Sequence, residues 1–262
     1  MARYPCLLLA GDRGEGDRLS QAAKIPCRAL LPLAGRVMIR GPLEALISSE
    51  SIDGITISEP VRAEELKAEL NDLADKVEWM PSASSPSSSV LAGLDRIEPP
   101  LLVTTADHAF LRSEIVDDFC RRAADHPADL VVGVVKHANV KKAFPEVKKT
   151  ENRLGGEAWC GCNLFFFRTP ISRNAAELWQ RAEKDRKRPW RIARAIGWGF
   201  LAKFLSGRLN LDQALDHIGN KIGIEIGALE LPFPEASIDV DSVEDWRIIE
   251  PIIKDRANSS AP

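Results

Sequence analysis

The sequence predicts an α/β protein with a three-layer, Rossmann-like architecture around a mostly parallel central sheet. Short apolar runs alternate with longer segments of helical period, which is the rhythm of repeated βαβ units. The chain has 262 residues, of which 45% are hydrophobic, so it is long and apolar enough to bury one large core. We therefore expect a single domain over residues 1–262.

The alternating elements occupy the chain up to Arg168. Strands are expected at short runs of apolar and β-branched residues, namely Cys6–Ala10, Gly54–Ser58, Val77–Met80, Leu101–Thr105, Leu130–Val135 and Leu164–Arg168. Helices are expected where apolar residues recur three or four positions apart, namely Pro42–Ser49, Ala63–Leu73, Ser89–Arg96 and Ser113–Ala124. Each of these helices separates two strands, as parallel pairing requires.

The rhythm changes after Arg168. Three helices follow with no strand between them, at Ala175–Lys184, Trp190–Leu205 and Leu211–Ile218, so residues 170–222 are predicted to form a helical insert. The domain is then expected to close with strands at Ile224–Leu231 and Ser237–Val240 and a helix at Val243–Ile253.

Composition and charge argue against several classes of protein. The formal net charge is −3 and the pI is about 5.9, whereas a nucleic-acid-binding domain normally carries a basic surface. The five cysteines are scattered, and the closest pair, Cys160 and Cys162, lacks zinc-site spacing, so reduced thiols are expected. The apolar run at the N-terminus is too short for a signal peptide or a membrane span, which indicates a cytoplasmic protein.

The turn after the first predicted strand has the composition of an anion-binding loop. Its candidate nucleotide-binding residues are Leu9, Ala10, Gly11, Gly14, Gly16 and Arg18. Glycines let backbone N–H groups approach an anion, and guanidinium groups bind phosphate oxygens. Ligands of open α/β sheets bind beyond the carboxyl ends of the strands, where this loop lies. A glycine-rich loop alone is equally typical of a mobile surface loop.

Acidic residues are predicted at the same edge of the sheet. Asp107 follows the buried run Leu101–Thr105, and Asp239 and Asp241 precede the last helix. Mg²⁺ bound to a triphosphate takes one or two protein carboxylates together with phosphate oxygens and waters. We therefore expect Mg²⁺ as cofactor, with Asp107 and Asp241 as its ligands. Asp241 is also suited to cap the last helix.

Taken in order, these motifs resemble those of the molybdenum-cofactor guanylyltransferase-like nucleotidyltransferases. Their N-terminal signature is similar to Leu9–Arg18 followed by Ala29–Ile39, and their metal-binding aspartate matches Asp107. Val240–Asp245 is similar to their C-terminal Asp-Thr-Pro-Glu-Asp element. The resemblance spans residues 5–140 and 227–253, and it implies a sheet of the nucleotide-diphospho-sugar transferase type.

The resemblance also implies a reaction. NMP passes from an NTP to a phosphorylated small molecule and pyrophosphate leaves; the breadth of the family favours CTP or GTP. Arg18, Arg28 and Asp107 are the expected catalytic residues, the arginines offsetting charge on the triphosphate. Two features depart from the family: the loop is longer by Asp12 and Arg13, and Arg28 replaces a lysine. Because arginine binds as a planar fork, its reach to the phosphates differs.

Two further segments match positions that line the pockets of the relatives. Ser88 and Ser89, at the start of a predicted helix, are expected to contact the nucleotide, or else simply to end a flexible loop. Asn163 is expected to bind the acceptor, or else to form a turn before a buried strand. His108, beside Asp107, is assigned no role.

Residues 187–205 combine positive charge with an apolar face. Between Arg181 and Arg208 there are nine basic and two acidic residues, interleaved with aromatic ones. Three interpretations remain open: a face packed on the domain with solvated arginines, a lid that grips the acceptor phosphate, or a helix in peripheral contact with anionic lipid at the inner membrane face.

Two other functions compete with catalysis by nucleotidyl transfer. The departure at Arg28 is compatible with a catalytically inactive nucleotide-binding or membrane-docking module of the same fold. A nucleotide-sugar glycosyltransferase is the third hypothesis, although that class usually carries Asp-x-Asp at the metal strand, where this chain has Ala106-Asp107-His108.

Overall fold

The fold is taken from a computed structural model, which describes residues 2–11, 17–185, 197–205, 207 and 209–259. Two of the predicted loop glycines, Gly14 and Gly16, and the larger part of residues 187–205 lie outside these ranges.

A twisted sheet forms the centre of the described chain. Its eight strands are β1 (Tyr4–Leu9), β4 (Ile52–Glu59), β5 (Glu78–Pro81), β6 (Leu101–Thr105), β7 (Leu130–Lys136), β8 (Asn152–Leu154), β9 (Glu157–Phe167) and β10 (Ile226–Glu230). The spatial order is β10-β7-β9-β6-β1-β4-β5, and β8 pairs with β9. A separate hairpin joins β2 (Pro32–Leu33) to β3 (Arg36–Val37).

Most of the sheet is parallel. The pairs β1–β4, β1–β6, β4–β5 and β7–β10 are all parallel, whereas β9 runs antiparallel to both of its long neighbours, β6 and β7. The first residues of β9 therefore lie at the edge where the parallel strands end. This carboxyl edge is where open α/β sheets bind ligands.

Helices cover both faces of the sheet. They are α1 (Arg18–Ala23), α2 (Arg40–Ile47), α3 (Ala63–Leu70), α4 (Pro86–Leu94), α5 (Ser113–Ala124), α6 (His137–Ala143), α7 (Arg173–Asp185), α8 (Trp198–Leu205), α9 (Leu211–Ile222) and α10 (Val243–Ser259). Four short 3-10 helices join them, at Arg28–Leu30, Asn71–Lys76, Pro170–Ser172 and Pro234–Ser237.

Side chains of each central strand alternate between two hydrophobic cores. In β1, Cys6 and Leu8 face the core built with α2, α3 and α5, and Leu7 faces the core built with α4 and α7. Both faces of the strand are therefore buried, which is why its sequence is a continuous apolar run. The predicted α/β class and three-layer, mostly parallel architecture are confirmed. The single-domain assignment and the bounds of the insert stay predictions.

Two differences from the expected elements have local causes. The strand expected at Leu164–Arg168 is the end of β9, which begins seven residues earlier, at Glu157. Strand β9 pairs with Val132 and Val134 of β7. Between these two pairs, Gly133 faces three residues of β9, Cys162, Asn163 and Leu164, so a bulge interrupts the two-residue alternation of side chains. The prediction of a strand at Ser237–Val240 was wrong: Ser237 ends a 3-10 helix that begins at Pro234, and the residues that follow it up to Val240 lie outside the sheet.

Gly219 of α9 offers a test of close packing. A Cβ built at Gly219 would collide with the carbonyl oxygen of Ile224, which is rigid backbone. We expect Gly219→Ala to destabilise the protein by about 2 kcal/mol, as overpacking of a rigid contact does, measured as a lower melting temperature. Gly199→Ala, in α8, is the control because a Cβ there meets no atom within 4 Å. Equal melting temperatures for the two variants would contradict this description.

Candidate active site

The ends of β1 and β6 meet the segment before α10 at the carboxyl edge. The Ala106 N–H donates to the Leu9 carbonyl oxygen at 2.9 Å, and the Val240 N–H donates to the Asp107 carbonyl oxygen at 3.0 Å. These two bonds hold residues from positions 9, 107 and 240 side by side. Asp107 is therefore adjacent to both acids that flank Val240.

Asp239 and Asp241 lie on the same side of their segment. Ile238 and Val240 are fully buried, and alternation along an extended chain places the two acids opposite them. Burial raises the pKa of Asp239, with the Lys149 ammonium opposing the shift and the charges of Asp241 and Asp245 adding to it. Asp239 is thus largely buried beside other acids, whereas the side chain of Asp241 is 45% exposed.

Asp239 is held by two side chains from distant parts of the chain. Lys149 Nζ donates to its Oδ1 at 2.6 Å, and Asn163 Nδ2 donates to its Oδ2 at 3.1 Å. Asn163 adopts φ of 51° at the bulge of β9, a conformation that asparagine tolerates better than most residues. The structure thus brings the predicted acceptor residue to the acids. It also adds Lys149, for which the sequence offers no motif.

Arg28 links the phosphate loop to the C-terminal acids. Its Nη2 donates to Asp17 Oδ1 at 2.7 Å and to the Asp241 carbonyl oxygen at 3.0 Å, and its Nη1 lies 3.4 Å from Asp241 Oδ1. Asp17 also caps α1 by accepting from the backbone and hydroxyl of Ser20. Burial alone would raise the pKa of Asp17, but the hydrogen bonds from Arg28 and Ser20 outweigh it and lower the pKa to about 2.

The described part of the loop after β1 approaches the serine-rich segment Ser82–Ser89. A Cβ at Gly11 would lie 3.1 Å from the Cβ of Ser82, so only glycine fits this approach without a shift. Ala10 is buried and bonded through its N–H to the Ser58 carbonyl oxygen at 3.0 Å. Arg18 is exposed as the first residue of α1.

The two predicted serines lie in the first turn of α4, whose N-cap is Ser85. Ser89 is buried and its Oγ accepts from the Ala83 N–H at 2.9 Å. Ser88 is half-buried and its Oγ accepts from Gln180 Nε2 at 2.9 Å, which ties α4 to α7. Both serines therefore shape the segment that meets Gly11.

His108 is part of the core beneath the acids. It is 1% exposed, and burial lowers its pKa to about 4, with the Lys149 charge lowering it further and the Ala236 backbone opposing the shift. The imidazole is therefore neutral at pH 7. It is too deeply buried to meet a substrate.

The donor chemistry at this edge fits a hard cation bound together with phosphate. Among the described residues, no three His, Cys, Asp or Glu side chains converge into a preformed metal site. Carboxylates are nevertheless available from Asp107, Asp239 and Asp241, and Mg²⁺ on a triphosphate needs only one or two of them. The hydroxyls of Ser58 in β4 and of Thr104 and Thr105 in β6 are buried near the carboxyl ends of the two strands that flank β1, without a hydrogen-bond partner in the described chain.

A cavity of about 290 Å³ opens beside the ends of β7 and β10. Its walls include Trp159, Glu157 and Glu230, and the start of α9 closes one side through Asn210 and Leu211. Trp159 precedes Asn163 in the same strand, so the cavity extends the site away from the phosphate loop.

Within the ranges that the structure describes, every helix is too short or too polar to cross a lipid bilayer. The proposed lipid contact at residues 187–205 lies mostly outside those ranges, since residues 186–196 are not described.

Comparison with known proteins identifies a family. The model of the MobA-like NTP transferase domain matches residues 6–195. Among proteins with curated functions, none is significantly similar to this chain in sequence.

Solved structures share the fold over nearly the whole chain. A hypothetical transferase from Thermus thermophilus is 29% identical, with a TM-score of 0.78, over 93% of this chain and 99% of that one. A 2-C-methyl-D-erythritol 4-phosphate cytidylyltransferase from the same organism is 13% identical, with a TM-score of 0.53, over 97% and 100% of the two chains. A CMP:2-keto-3-deoxy-manno-octonic acid synthetase, complexed with CTP, is 11% identical, with a TM-score of 0.58, over 97% and 99%. At 13% and 11% identity, the last two show the fold alone.

Proposed function

This chain belongs to the family of MobA-like NTP transferase domains, and from that premise we propose that it transfers NMP from an NTP to a phosphorylated small molecule, with release of pyrophosphate. The observation that carries the proposal is the meeting of Asp107 with Asp239 and Asp241 beside the loop that follows β1. Acidic and anion-binding groups at one edge are what in-line phosphoryl chemistry requires.

In the proposed step, an oxygen of the acceptor phosphate attacks the α-phosphorus of the NTP. The new O–P bond forms as the bond between the α-phosphorus and the bridging oxygen to the β-phosphate breaks, and that oxygen leaves with pyrophosphate. Bound Mg²⁺ would neutralise charge on the phosphates. Asp107 and Asp241 would hold it, with Asp239 beside them.

The nucleotide is proposed to lie along the loop after β1. Gly11, with Gly14 and Gly16 outside the described residues, would direct N–H groups to the phosphates, and Leu9 and Ala10 would fix the start of this loop at the end of β1. Ser88 and Ser89 would lie on the other side of the nucleotide, and the exposed Arg18 would pair with the triphosphate. CTP or GTP remains the proposed donor.

The experiment is a pyrophosphate-release assay with Mg²⁺, in which CTP, GTP, ATP and UTP are each combined with a panel of phosphorylated sugars, polyols and amino alcohols. Turnover that needs an NTP, an acceptor and a divalent cation is expected. If no pair yields pyrophosphate above the rate of either substrate alone, the proposed reaction is wrong.

One observation favours a second candidate, a nucleotide-binding module without activity. Arg28, at the position of the family lysine, is engaged by Asp17 and Asp241 and not directed to solvent. A module would be stabilised by NTP and Mg²⁺ in a thermal-shift experiment and yet give no product with any acceptor.

Cytoplasmic location and peripheral contact with the inner membrane face through residues 187–205 also remain proposals. Co-sedimentation of the full chain with vesicles that contain anionic lipid, compared with neutral vesicles, tests the membrane contact. Equal recovery of the protein with anionic and with neutral vesicles would contradict the membrane contact.

Asn163 is proposed to bind the acceptor. We expect Asn163→Gly to raise the KM of the acceptor about tenfold, since one hydrogen bond to a charged group is lost, and to leave the KM of the NTP unchanged. Glycine accepts the positive φ at this position, so the bulge is preserved. Steady-state kinetics with each substrate varied in turn is the measurement. An equal rise in both KM values would show a general distortion and contradict the assignment.

A further inference from the structure

Lys149 and Asp239 form a largely buried ion pair in the middle of the candidate site. Their side chains are 13% and 15% exposed, and Lys149 Nζ lies 2.6 Å from Asp239 Oδ1. Asn163 takes the other carboxylate oxygen. Both oxygens of this largely buried acid are therefore in contact with donors, at a place where the proposed reaction requires a cation.

An ammonium and a divalent cation compete for the same carboxylate oxygen. Mg²⁺ binds carboxylate oxygens at about 2.0–2.1 Å, and an ammonium that donates to the same oxygen would face strong repulsion at that range. A cation that reaches Asp239 must therefore displace Lys149 from Oδ1.

Lys149 is able to move. It lies in the irregular segment between α6 and β8, and its side chain is a flexible four-carbon stem with a single charged group. Its neighbour Lys148 instead forms an exposed ion pair with Glu244 of α10 at 2.8 Å, a surface contact of little energetic weight. A small movement of the Lys149 side chain alone would release its ammonium into the site.

We propose that Lys149 holds the place of the metal on Asp239 until Mg²⁺ arrives with the nucleotide, and that the released ammonium then binds the acceptor phosphate. The second half rests on the proposed function. The exchange keeps Asp239 neutralised in both states, so the buried carboxylate is never left with uncompensated charge. It also makes the binding of the acceptor depend on the prior binding of the metal.

The test is Lys149→Met, and its expected effects have opposite signs. Removing the competing ammonium should tighten the binding of Mn²⁺ to the nucleotide-free protein several-fold, to about tenfold, measured by electron paramagnetic resonance. The KM of the acceptor should rise by about tenfold or more, because a charge-assisted contact is lost. Lys148→Met, the neighbouring lysine in an exposed pair, should change neither quantity.

The outcomes separate an exchange from a structural role. If Lys149→Met weakens Mn²⁺ binding, or leaves it unchanged, the lysine does not compete with the metal and the proposal is overturned. If the variant fails to fold, Lys149→Gln keeps a donor to Asp239 without the charge and carries the same expectations. Asp239→Asn in the Lys149→Met background should abolish the gain in Mn²⁺ affinity.

The metal measurement needs no turnover. If Lys149→Met binds Mn²⁺ more tightly but wild type releases no pyrophosphate, the competition between Lys149 and the metal is supported and the proposed reaction is wrong. If wild type releases pyrophosphate but the variant binds Mn²⁺ more weakly, the proposed reaction is supported and the competition between Lys149 and the metal is wrong.

Discussion

Replacing Asp107 by alanine is expected to lower kcat/KM for nucleotidyl transfer by about a thousandfold or more, the effect of removing a group that stabilises charge in the transition state. Asp107 is the acid that directly ends a central strand, and its backbone is bonded to Val240 between the other two acids. Its carboxylate would be a ligand of Mg²⁺. The turn after β6 carries no other carboxylate that could replace it.

Asp107→Asn separates the charge from the shape of the side chain. The amide preserves volume but not the negative charge, so its activity should fall nearly as far as that of the alanine variant. Asp118→Asn, which removes an acid paired with Arg121 and Arg122 on the surface of α5, is the control and should retain full activity. Turnover of Asp107→Ala within a few-fold of wild type would remove Asp107 from the mechanism.

The second large effect is expected from Arg28→Met. The guanidinium is 11% exposed and its partner Asp17 is 9% exposed, so the substitution leaves an uncompensated, largely buried carboxylate. Breaking a buried pair in this way costs about 3–5 kcal/mol, which should appear as a lower melting temperature. Arg28 also donates to the carbonyl oxygen of Asp241. Because the substitution should displace Asp241, kcat/KM should fall by about a hundredfold.

The pH dependence of stability gives an independent measurement. The pKa of Asp17 is lowered to about 2, so its contribution is present above the unfolded value of about 3.9 and is lost as the pH falls towards 2. The difference in melting temperature between wild type and Arg28→Met should therefore be largest above pH 5 and should narrow between pH 4 and 2. A difference that stays constant over this range would contradict the role of the Asp17–Arg28 pair.

Arg28→Lys restores the family residue and distinguishes two roles. An ammonium retains the charge but is a single point, whereas the fork of arginine reaches Asp17 and the Asp241 carbonyl group together. If Arg28 acts mainly by linking these segments, lysine should recover only part of the stability and activity. Arg121→Met, which breaks an exposed pair, should leave both unchanged.

The fold was predictable where local pattern and tertiary environment agree. Strand Leu101–Thr105 and helix Ser113–Ala124 were predicted to the residue, since one is apolar on both faces and the other has a strongly amphipathic period. The first half of β9 was not predicted, because Gly161 and the bulge at Asn163 interrupt the alternation that marks a strand. The two-residue strands of the β2–β3 hairpin are too short for any periodic signal.

The candidate site was predictable to the extent that it follows strand ends. Asp107 and the loop after β1 were expected at one edge because parallel strands end together, and they lie there. Lys149 could not be found in this way: its partner Asp239 is 90 residues away and no sequence spacing links them. The engagement of Arg28 by Asp17 likewise depends on how the loop folds back, which composition does not determine.

The antiparallel strand β9 has a consequence for the order in which the chain must be assembled during synthesis. In the described residues β7 pairs only with β9 and β10, and β6 meets β7 only through β9. A nascent chain of about 150 residues therefore carries β6 with one open side and β7 with none of its partners. Open strand edges are templates for other chains, so this period of translation is the one most exposed to aggregation. Because β9 pairs with both β6 and β7, these two strands cannot be joined before residue 167 has been synthesised.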